Sequence, residues 1–153
     1  MPCYELDTYQ PSSYGDYIYN ITGMEKDEKI IKVLSIPKDS YKQKNIYFIY
    51  DNGKIAKVNA DSYMSNNKKL QNCYNTDSKI MDICYSEQDI DILLCSSEGK
   101  ALIINTSQLN SKGSRNSQGV TSMKLDDNNI IGCIVNVNKD NHFVLQTRKG
   151  KLS

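Results

Sequence analysis

The most informative stretch of the chain is NIYFIYDNGKIAKV, residues 45–58. An apolar run, a polar turn with Gly53 and a second alternating run form the pattern of a β-hairpin, in which glycine supplies the positive φ of the turn. Two further stretches align with it on a glycine, DILLCSSEGKALII at residues 91–104 with Gly99 and NHFVLQTRKGKL at residues 141–152 with Gly150. The sequence therefore predicts three equivalent hairpins.

Another apolar strand precedes each hairpin, and the three strands share a register. Ile30, Ile80 and Ile130 are spaced by 50 residues, while the hairpin glycines are spaced by 46 and 51. Before these strands lie further stretches that we predict to be extended, at residues 16–21, 70–74 and 120–125. The unit is thus about four short strands in about 50 residues, the length and content of a propeller blade.

A single blade cannot bury both of its faces, so blades must stack around an axis. We predict an all-β, propeller-like fold with about three blades in residues 14–153, whose registers start near residues 30, 80 and 130. Residues 1–13 are expected to be a linker or the end of a preceding blade. Because a closed ring needs roughly four to eight blades, we expect a partial ring from a larger domain.

Charge is unevenly distributed along a chain whose net charge is +1. Residues 1–28 hold six acidic residues and one lysine, whereas residues 99–125 hold three lysines, one arginine and no acid. A near-neutral sum is therefore compatible with a basic binding face. The sequence shows neither a secretory signal nor an apolar run of the roughly 18 residues that a membrane span needs, so we expect a cytoplasmic protein with reduced cysteines.

Two adjacent motifs resemble a known family. LLCSSEGKA at residues 93–101, followed by GSRNSQGV at residues 113–120, is similar to the repeat of the C-terminal domain of bacterial DNA gyrase and topoisomerase IV A subunits. Residues 15–31 and 68–74 look like inter-blade segments of the same family, so the likeness extends over about residues 14–152. It implies a β-pinwheel, a propeller-like ring whose blades exchange strands.

The resemblance also implies a function. The domain would be a noncatalytic module that binds and bends double-stranded DNA around a basic outer rim and presents it to the cleavage core of an ATP-dependent type IIA topoisomerase. The partners in the parent enzyme would be that core and the ATPase subunit. No catalytic residue, metal or cofactor is expected in this chain, and none of its eleven tyrosines would inherit the strand-cleaving role.

One departure concerns the basic heptapeptide QRRGGKG that marks gyrase. The nearest glycine-bounded segment, Gly113 to Gly119, contains Arg115 as its only charge. This favours topoisomerase IV, or an A subunit whose heptapeptide lies elsewhere, and modest DNA wrapping.

Phosphate neutralisation dominates nonspecific DNA binding, so the residues of interest are cations at repeated places. Equivalent positions in successive blades face the same way around a ring, and this predicts a basic stripe along one rim. The candidate residues are Lys54, Lys57, Lys68, Lys69, Lys100, Lys112, Arg115, Lys124, Arg148, Lys149 and Lys151.

Other interpretations stay open or are disfavoured. A propeller-type scaffold that binds another protein through loops on one face is the alternative function. Cys73, Cys84 and Cys95 are spaced by 11 residues but lack a C-x-x-C pair, so buried thiols are favoured over zinc. No nucleophile motif accompanies His142, which argues against an independent enzyme. Open β edges at the two ends predict that a swapped or edge-paired dimer can form.

Overall fold

The computed structural model of the chain describes residues 6–37, 42, 44–67, 69–127, 129–146 and 148–151. Its regular structure is almost entirely β, which confirms the predicted class. The strands are β1 (Asn45–Tyr50), β2 (Lys54–Asn59), β3 (Ile80–Ser86), β4 (Asp91–Ser96), β5 (Ala101–Asn105), β6 (Val120–Thr121) and β7 (Ile130–Val135), and the helix is α1 (Ile18–Thr22). Among the described residues, no helix has the length and apolar character that a bilayer crossing requires.

The strands form two antiparallel sheets. One has the order β3-β1-β2-β6 and the other has the order β5-β4-β7. The turns of the β1–β2 and β4–β5 hairpins contain Gly53 with φ +78° and Gly99 with φ +83°. The first two predicted hairpins are therefore confirmed, and each glycine has the left-handed backbone conformation for which it was singled out.

The two sheets repeat the same pairing. Phe48 of β1 lies opposite Ile83 of β3, and Leu94 of β4 lies opposite Cys133 of β7. The hairpin residues differ by 46 positions and the strand residues by 50, which are the two spacings found in the sequence. Each blade thus consists of a hairpin and the strand that follows it, and these two following strands begin at Ile80 and Ile130.

Each complete hairpin ends in a short 3₁₀ turn with an asparagine cap. The side chain of Asn59 accepts a hydrogen bond from the Asp61 N–H at 3.1 Å, and that of Asn105 accepts one from the Ser107 N–H at 2.9 Å. Asparagine is suited to this place because its side-chain oxygen satisfies an amide that the turn leaves unpaired.

Alternate residues of β1 enter two different cores, as the pleat of a strand requires. Tyr47 and Ile49 join a cluster with Ile92 and Leu94 of the second sheet. Phe48, on the opposite face, belongs to a second cluster, against which Leu34 and Ile36 of the N-terminal part pack. The first sheet therefore lies between the second sheet and the segment around residue 34.

The strand predictions outside β1 to β5 and β7 are wrong or only partly confirmed. The prediction that residues 16–21 are extended is wrong, because Ile18–Thr22 form α1, which Gly23 ends with φ +71°. Residues 28–34 and 70–74 do not form ladder strands, and the extended stretch at 120–125 is reduced to β6. In the third hairpin, Gly150 has φ +74°, but residues 141–145 are not in a strand. The two sheets of the described residues do not close into a ring.

Candidate nucleic-acid interface

After the second hairpin, the chain returns to the outer edge of the first. The Asn59 N–H donates to the Lys112 carbonyl at 2.8 Å, and the Lys112 N–H donates to the Lys57 carbonyl at 2.9 Å. These two bonds form an isolated parallel bridge between Val58 and Lys112. Residues 112–121 therefore connect the two blades along β2.

Gly119 brings this return segment into close contact with β2. Its φ is +73°, and a Cβ added there would lie 2.6 Å from the backbone carbonyl carbon of Ile55. The next residues form β6, in which Val120 pairs with Ile55 and Thr121 pairs with Lys54. Only glycine allows both the backbone conformation and the close approach.

Arg115 anchors the middle of the loop formed by residues 112–121 to the first blade. Its Nη1 donates to the Ser62 carbonyl at 3.2 Å, in the 3₁₀ turn that follows β2. Both residues line an open depression of about 530 Å³ together with Asn72, Ser114 and Asn116. Arg115 is half-buried and therefore has a structural contact as well as a charge.

We expect Arg115→Gln to loosen the loop without unfolding the blades. The lost hydrogen bond involves a charged donor and is worth roughly 1 to 3 kcal/mol. Amide hydrogen exchange should accelerate at Asn59 and Lys112, whose bonds hold the loop to β2. Lys112→Gln is the matched control, because Lys112 holds β2 through its backbone; equal exchange rates in the two variants would contradict the anchoring role of Arg115.

Four of the predicted cations lie along this edge. Lys54 begins β2, Lys112 bridges its far end, and Arg115 contacts the turn beyond. Lys124 follows Met123, whose N–H donates to the Gly53 carbonyl at 3.0 Å. We call this edge, defined by Lys54, Lys112, Arg115 and Lys124, the rim surface.

Lys69 lies across a cleft from the loop formed by residues 112–121, and it forms ion pairs with two glutamate side chains. Its Nζ is 3.0 Å from a carboxylate oxygen of Glu28 and 3.9 Å from one of Glu25. The hydrogen bond that Lys69 donates to Glu28 raises the pKa of Lys69. The pKa of Glu28 is lowered mainly by the hydrogen bond that its carboxylate accepts from the Glu25 N–H, and next by the one from Lys69. The cleft of about 730 Å³ is also lined by Asn116 and Gln118. Lys69 is thus adjacent to the rim surface, with its charge partly neutralised.

Lys57 is not on the rim surface. Its side chain is only 9% exposed, and its Nζ donates to Asp89 Oδ1 at 2.7 Å and to the Thr106 carbonyl at 3.0 Å. The same ammonium lies 5.9 Å from the centre of the Tyr47 ring. The expectation that Lys57 is an exposed cation is wrong, because strand alternation turns this residue toward Tyr47, directly opposite it on β1.

The remaining candidates are separate from the rim surface. Lys100, at the second hairpin turn, is 2.8 Å from Glu98. Arg148, Lys149 and Lys151 surround Gly150 and are exposed. Lys68 lies outside the described residues. The structure thus brings four of the eleven cations to one edge and puts Lys69 beside them.

The cysteines and the histidine do not form a chemical site in the described part of the chain. Cys73, Cys84, Cys95 and Cys133 are free thiols, and burial raises the pKa of Cys84 to about 12 and that of Cys133 to about 11. No group of three or more His, Cys, Asp or Glu side chains there could hold a metal ion. His142 is exposed and not in a strand.

The sequence of the chain is similar to one family. A family model described as "DNA gyrase C-terminal domain, beta-propeller" matches residues 91–136. The DNA gyrase A subunit of Rickettsia bellii is 29% identical over 137 residues, covering 86% of this chain and 15% of the relative. The DNA topoisomerase 4 A subunit of Staphylococcus epidermidis is 24% identical over 156 residues, covering 99% of this chain and 19% of the relative. The chain thus spans less than a fifth of the length of these proteins.

Solved structures agree with this similarity. The crystal structure of the C-terminal domain of DNA topoisomerase IV superposes with a TM-score of 0.75 at 26% identity, over 90% of this chain and 43% of that one. The DNA gyrase A C-terminal domain superposes with a TM-score of 0.58 at 19% identity, over 78% of this chain and 40% of that one, a likeness of fold. Two equivalent blades, the return of residues 112–121 to β2 and these relatives agree: in sequence and fold the chain is similar to the C-terminal β-pinwheel domains of bacterial type IIA topoisomerase A subunits.

Proposed function

We propose that this chain is a noncatalytic module that binds and bends double-stranded DNA along the rim surface. In the parent enzyme, a type IIA topoisomerase of the bacterial cytoplasm, it would present the bound segment to the cleavage core, which works with the ATPase subunit. The observation that carries the proposal is the return of residues 112–121 to β2, with Lys54, Lys112, Arg115 and Lys124 along one edge.

The chemistry of this edge suits a phosphate backbone better than a specific sequence. Lys112 and Lys124 are exposed, and the neighbouring side chains of Ser114 and Asn116 offer neutral hydrogen-bonding groups. Lysine, arginine and small polar side chains are the usual ligands of DNA phosphates, and such contacts fix position without reading bases. We therefore infer binding that is largely independent of sequence.

Acidic neighbours argue for modest affinity. Lys69 and Lys100 each have a carboxylate at 3.0 Å or less, in Glu28 and Glu98 respectively. A DNA phosphate would have to compete with these carboxylates for the lysine. Near-neutral net charge points the same way, because long-range attraction to DNA scales with the charge of the whole face.

A fluorescence polarisation titration with labelled duplexes of increasing length tests the proposal. About four phosphate contacts predict that log K falls with log salt with a slope of roughly −3 to −4. Lys112→Glu should weaken binding roughly fivefold to tenfold at moderate salt and make the slope shallower by about one or more. Longer duplexes should bind more tightly if the DNA is bent along the edge.

Lys139→Glu is the matched control. It makes the same charge change at an exposed lysine near the start of β4, at the opposite end of that strand from the hairpin glycine. If the affinity for DNA does not change with salt, or if both substitutions weaken it equally, the rim surface is not the DNA-binding site. Binding without length dependence would favour a protein-binding scaffold instead of a DNA-bending module.

A further inference from the structure

The segments that follow the two hairpins carry equivalent cations. Lys69 and Arg115 are 46 residues apart, which is also the spacing of the hairpin glycines. The two segments lie side by side, since Asn72 of the first and Arg115 of the second line one depression. Lys69 and Asn116 likewise line the polar cleft of about 730 Å³. Lys69 is therefore placed to continue the rim surface into the first blade.

The two cations differ in the charge of the groups that hold them. Arg115 donates a hydrogen bond to a neutral group, the Ser62 carbonyl. Lys69 donates to the Glu28 carboxylate at 3.0 Å and has a carboxylate oxygen of Glu25 at 3.9 Å. The Glu28 carboxylate also accepts a hydrogen bond from the Glu25 N–H at 2.7 Å. An anionic group is thus already bound where a DNA phosphate would meet Lys69.

The two glutamates are absent from the corresponding place in the next repeat. The segment EKDEKI at residues 25–30 corresponds to NTDSKI at residues 75–80, at the spacing of 50. Aspartate, lysine and isoleucine recur at the same places, whereas the glutamates are replaced by asparagine and serine. The Asn75 side chain accepts a hydrogen bond from the Asp77 N–H at 3.1 Å, so a neutral group can hold the backbone here. The repeat can therefore be built without carboxylates at these two places.

We propose that Lys69 and its cleft form a second phosphate-binding subsite for duplex DNA, which Glu25 and Glu28 occupy until the DNA displaces them. This subsite rests on the DNA-binding function proposed above and regulates the affinity of the same surface. A carboxylate and a phosphate both present anionic oxygens to an ammonium, so they compete for Lys69. The neutral side chains of Asn116 and Gln118 line the same cleft and offer hydrogen bonds to a phosphate that enters it.

The contact between Lys69 and the acids is weak enough for DNA to displace. The side chains of Lys69, Glu28 and Glu25 are 40%, 39% and 74% exposed. Ion pairs at such positions contribute little to stability, because water and salt screen them. A duplex held at Lys112 and Arg115 brings further phosphates to the cleft at a high effective concentration. The acids should therefore lower the affinity for DNA without preventing binding.

A cycle of variants tests whether the acids act through Lys69. Glu25→Gln and Glu28→Gln are combined, and the labelled duplex is titrated by fluorescence polarisation with and without Lys69→Gln. Removing the acids should tighten binding roughly twofold to fivefold and steepen the salt slope by about 0.9, the value of one further phosphate contact. In the Lys69→Gln background, which is the matched control, the gain should be clearly smaller and the slope unchanged, because only the general change in charge remains.

The variants should fold, because a glutamine side-chain oxygen can still accept the hydrogen bond from the Glu25 N–H. Equal gains with and without Lys69 would overturn the subsite, since the acids would then act through general charge alone. Unchanged affinity after removal of the acids would also overturn it; if Lys112→Glu still weakens binding, the rim surface stands without the subsite. If Lys112→Glu has no effect either, the proposed function is wrong and the subsite is wrong with it.

Discussion

Gly53→Ala is expected to destabilise the fold by roughly 3 kcal/mol or more, several times the loss at Gly99. Both glycines have φ near +80°, so an alanine costs about 1 kcal/mol or more in backbone strain at either site. At Gly53 the new Cβ would also meet the Met123 carbonyl oxygen and come within 3.2 Å of the Leu125 side chain. At Gly99 the same atom meets nothing within 4 Å.

The difference in stability between these two variants measures how much residues 122–125 contribute by covering the first hairpin turn. Ser122 and Met123 donate their N–H groups to the Gly53 carbonyl at 2.9 and 3.0 Å, and an alanine would force this segment away. Urea unfolding of Gly53→Ala and Gly99→Ala measures the two losses directly. Similar losses would show that backbone strain alone is responsible and that residues 122–125 do not cover the first hairpin turn in solution.

The hairpins could be predicted from the sequence because their signals are local. An apolar run, a turn glycine and a second run lie within fourteen residues at 45–58 and at 91–104. Their repetition at fixed spacing also gives the long-range pairing, since Phe48 with Ile83 and Leu94 with Cys133 follow from the spacings of 46 and 50. The repeat therefore allows local sequence patterns to predict which distant strands pair in a blade.

Strands that depend on a distant partner could not be predicted in this way. Residues 28–34 have the same apolar pattern as β3, but a ladder forms only where another strand supplies its hydrogen bonds. Residues 16–21 contain tyrosine and isoleucine, which favour strands, yet the chain forms α1 from Ile18 to Thr22. Whether a segment with strand-favouring residues forms a strand therefore depends on the chain beside it as well as on its own composition.

The site was only partly predictable for a related reason. The search for cations at repeated places in the blades identified Lys54, Lys112 and Arg115, but its candidates also included Lys57, which is buried. A usable signal was present, because hairpin pairing around Gly53 puts Lys57 opposite Tyr47, a core residue. No comparable sequence pattern predicts that Gly119 approaches Ile55, since this contact joins residues 64 positions apart.

The pair of Lys57 and Asp89 should respond unequally to the loss of each partner. Asp89→Ala leaves a buried ammonium whose remaining acceptor, among the residues that the structure describes, is the Thr106 carbonyl. Losing a partner of a buried charge costs about 3 to 5 kcal/mol, which we reduce to about 2 to 3 because the Asp89 side chain is 44% exposed. Lys57→Met removes the charge and keeps the volume, and the exposed carboxylate can be hydrated, so a loss of about 1 kcal/mol or less is expected.

Acid should abolish the contribution of this pair. The hydrogen bond from Lys57 is the main cause that lowers the pKa of Asp89 from its ordinary value of 3.8. The pair therefore stabilises the fold fully above that value, and the stabilisation is lost as the pH falls through the lower value of the folded state. Urea unfolding of the unaltered chain and of Asp89→Asn should give free energies that differ at neutral pH and converge as the pH falls below the ordinary pKa of 3.8 and through the lower pKa of the folded state. A constant difference across this range, or a larger loss in Lys57→Met than in Asp89→Ala, would mean that the ion pair does not hold the two blades together.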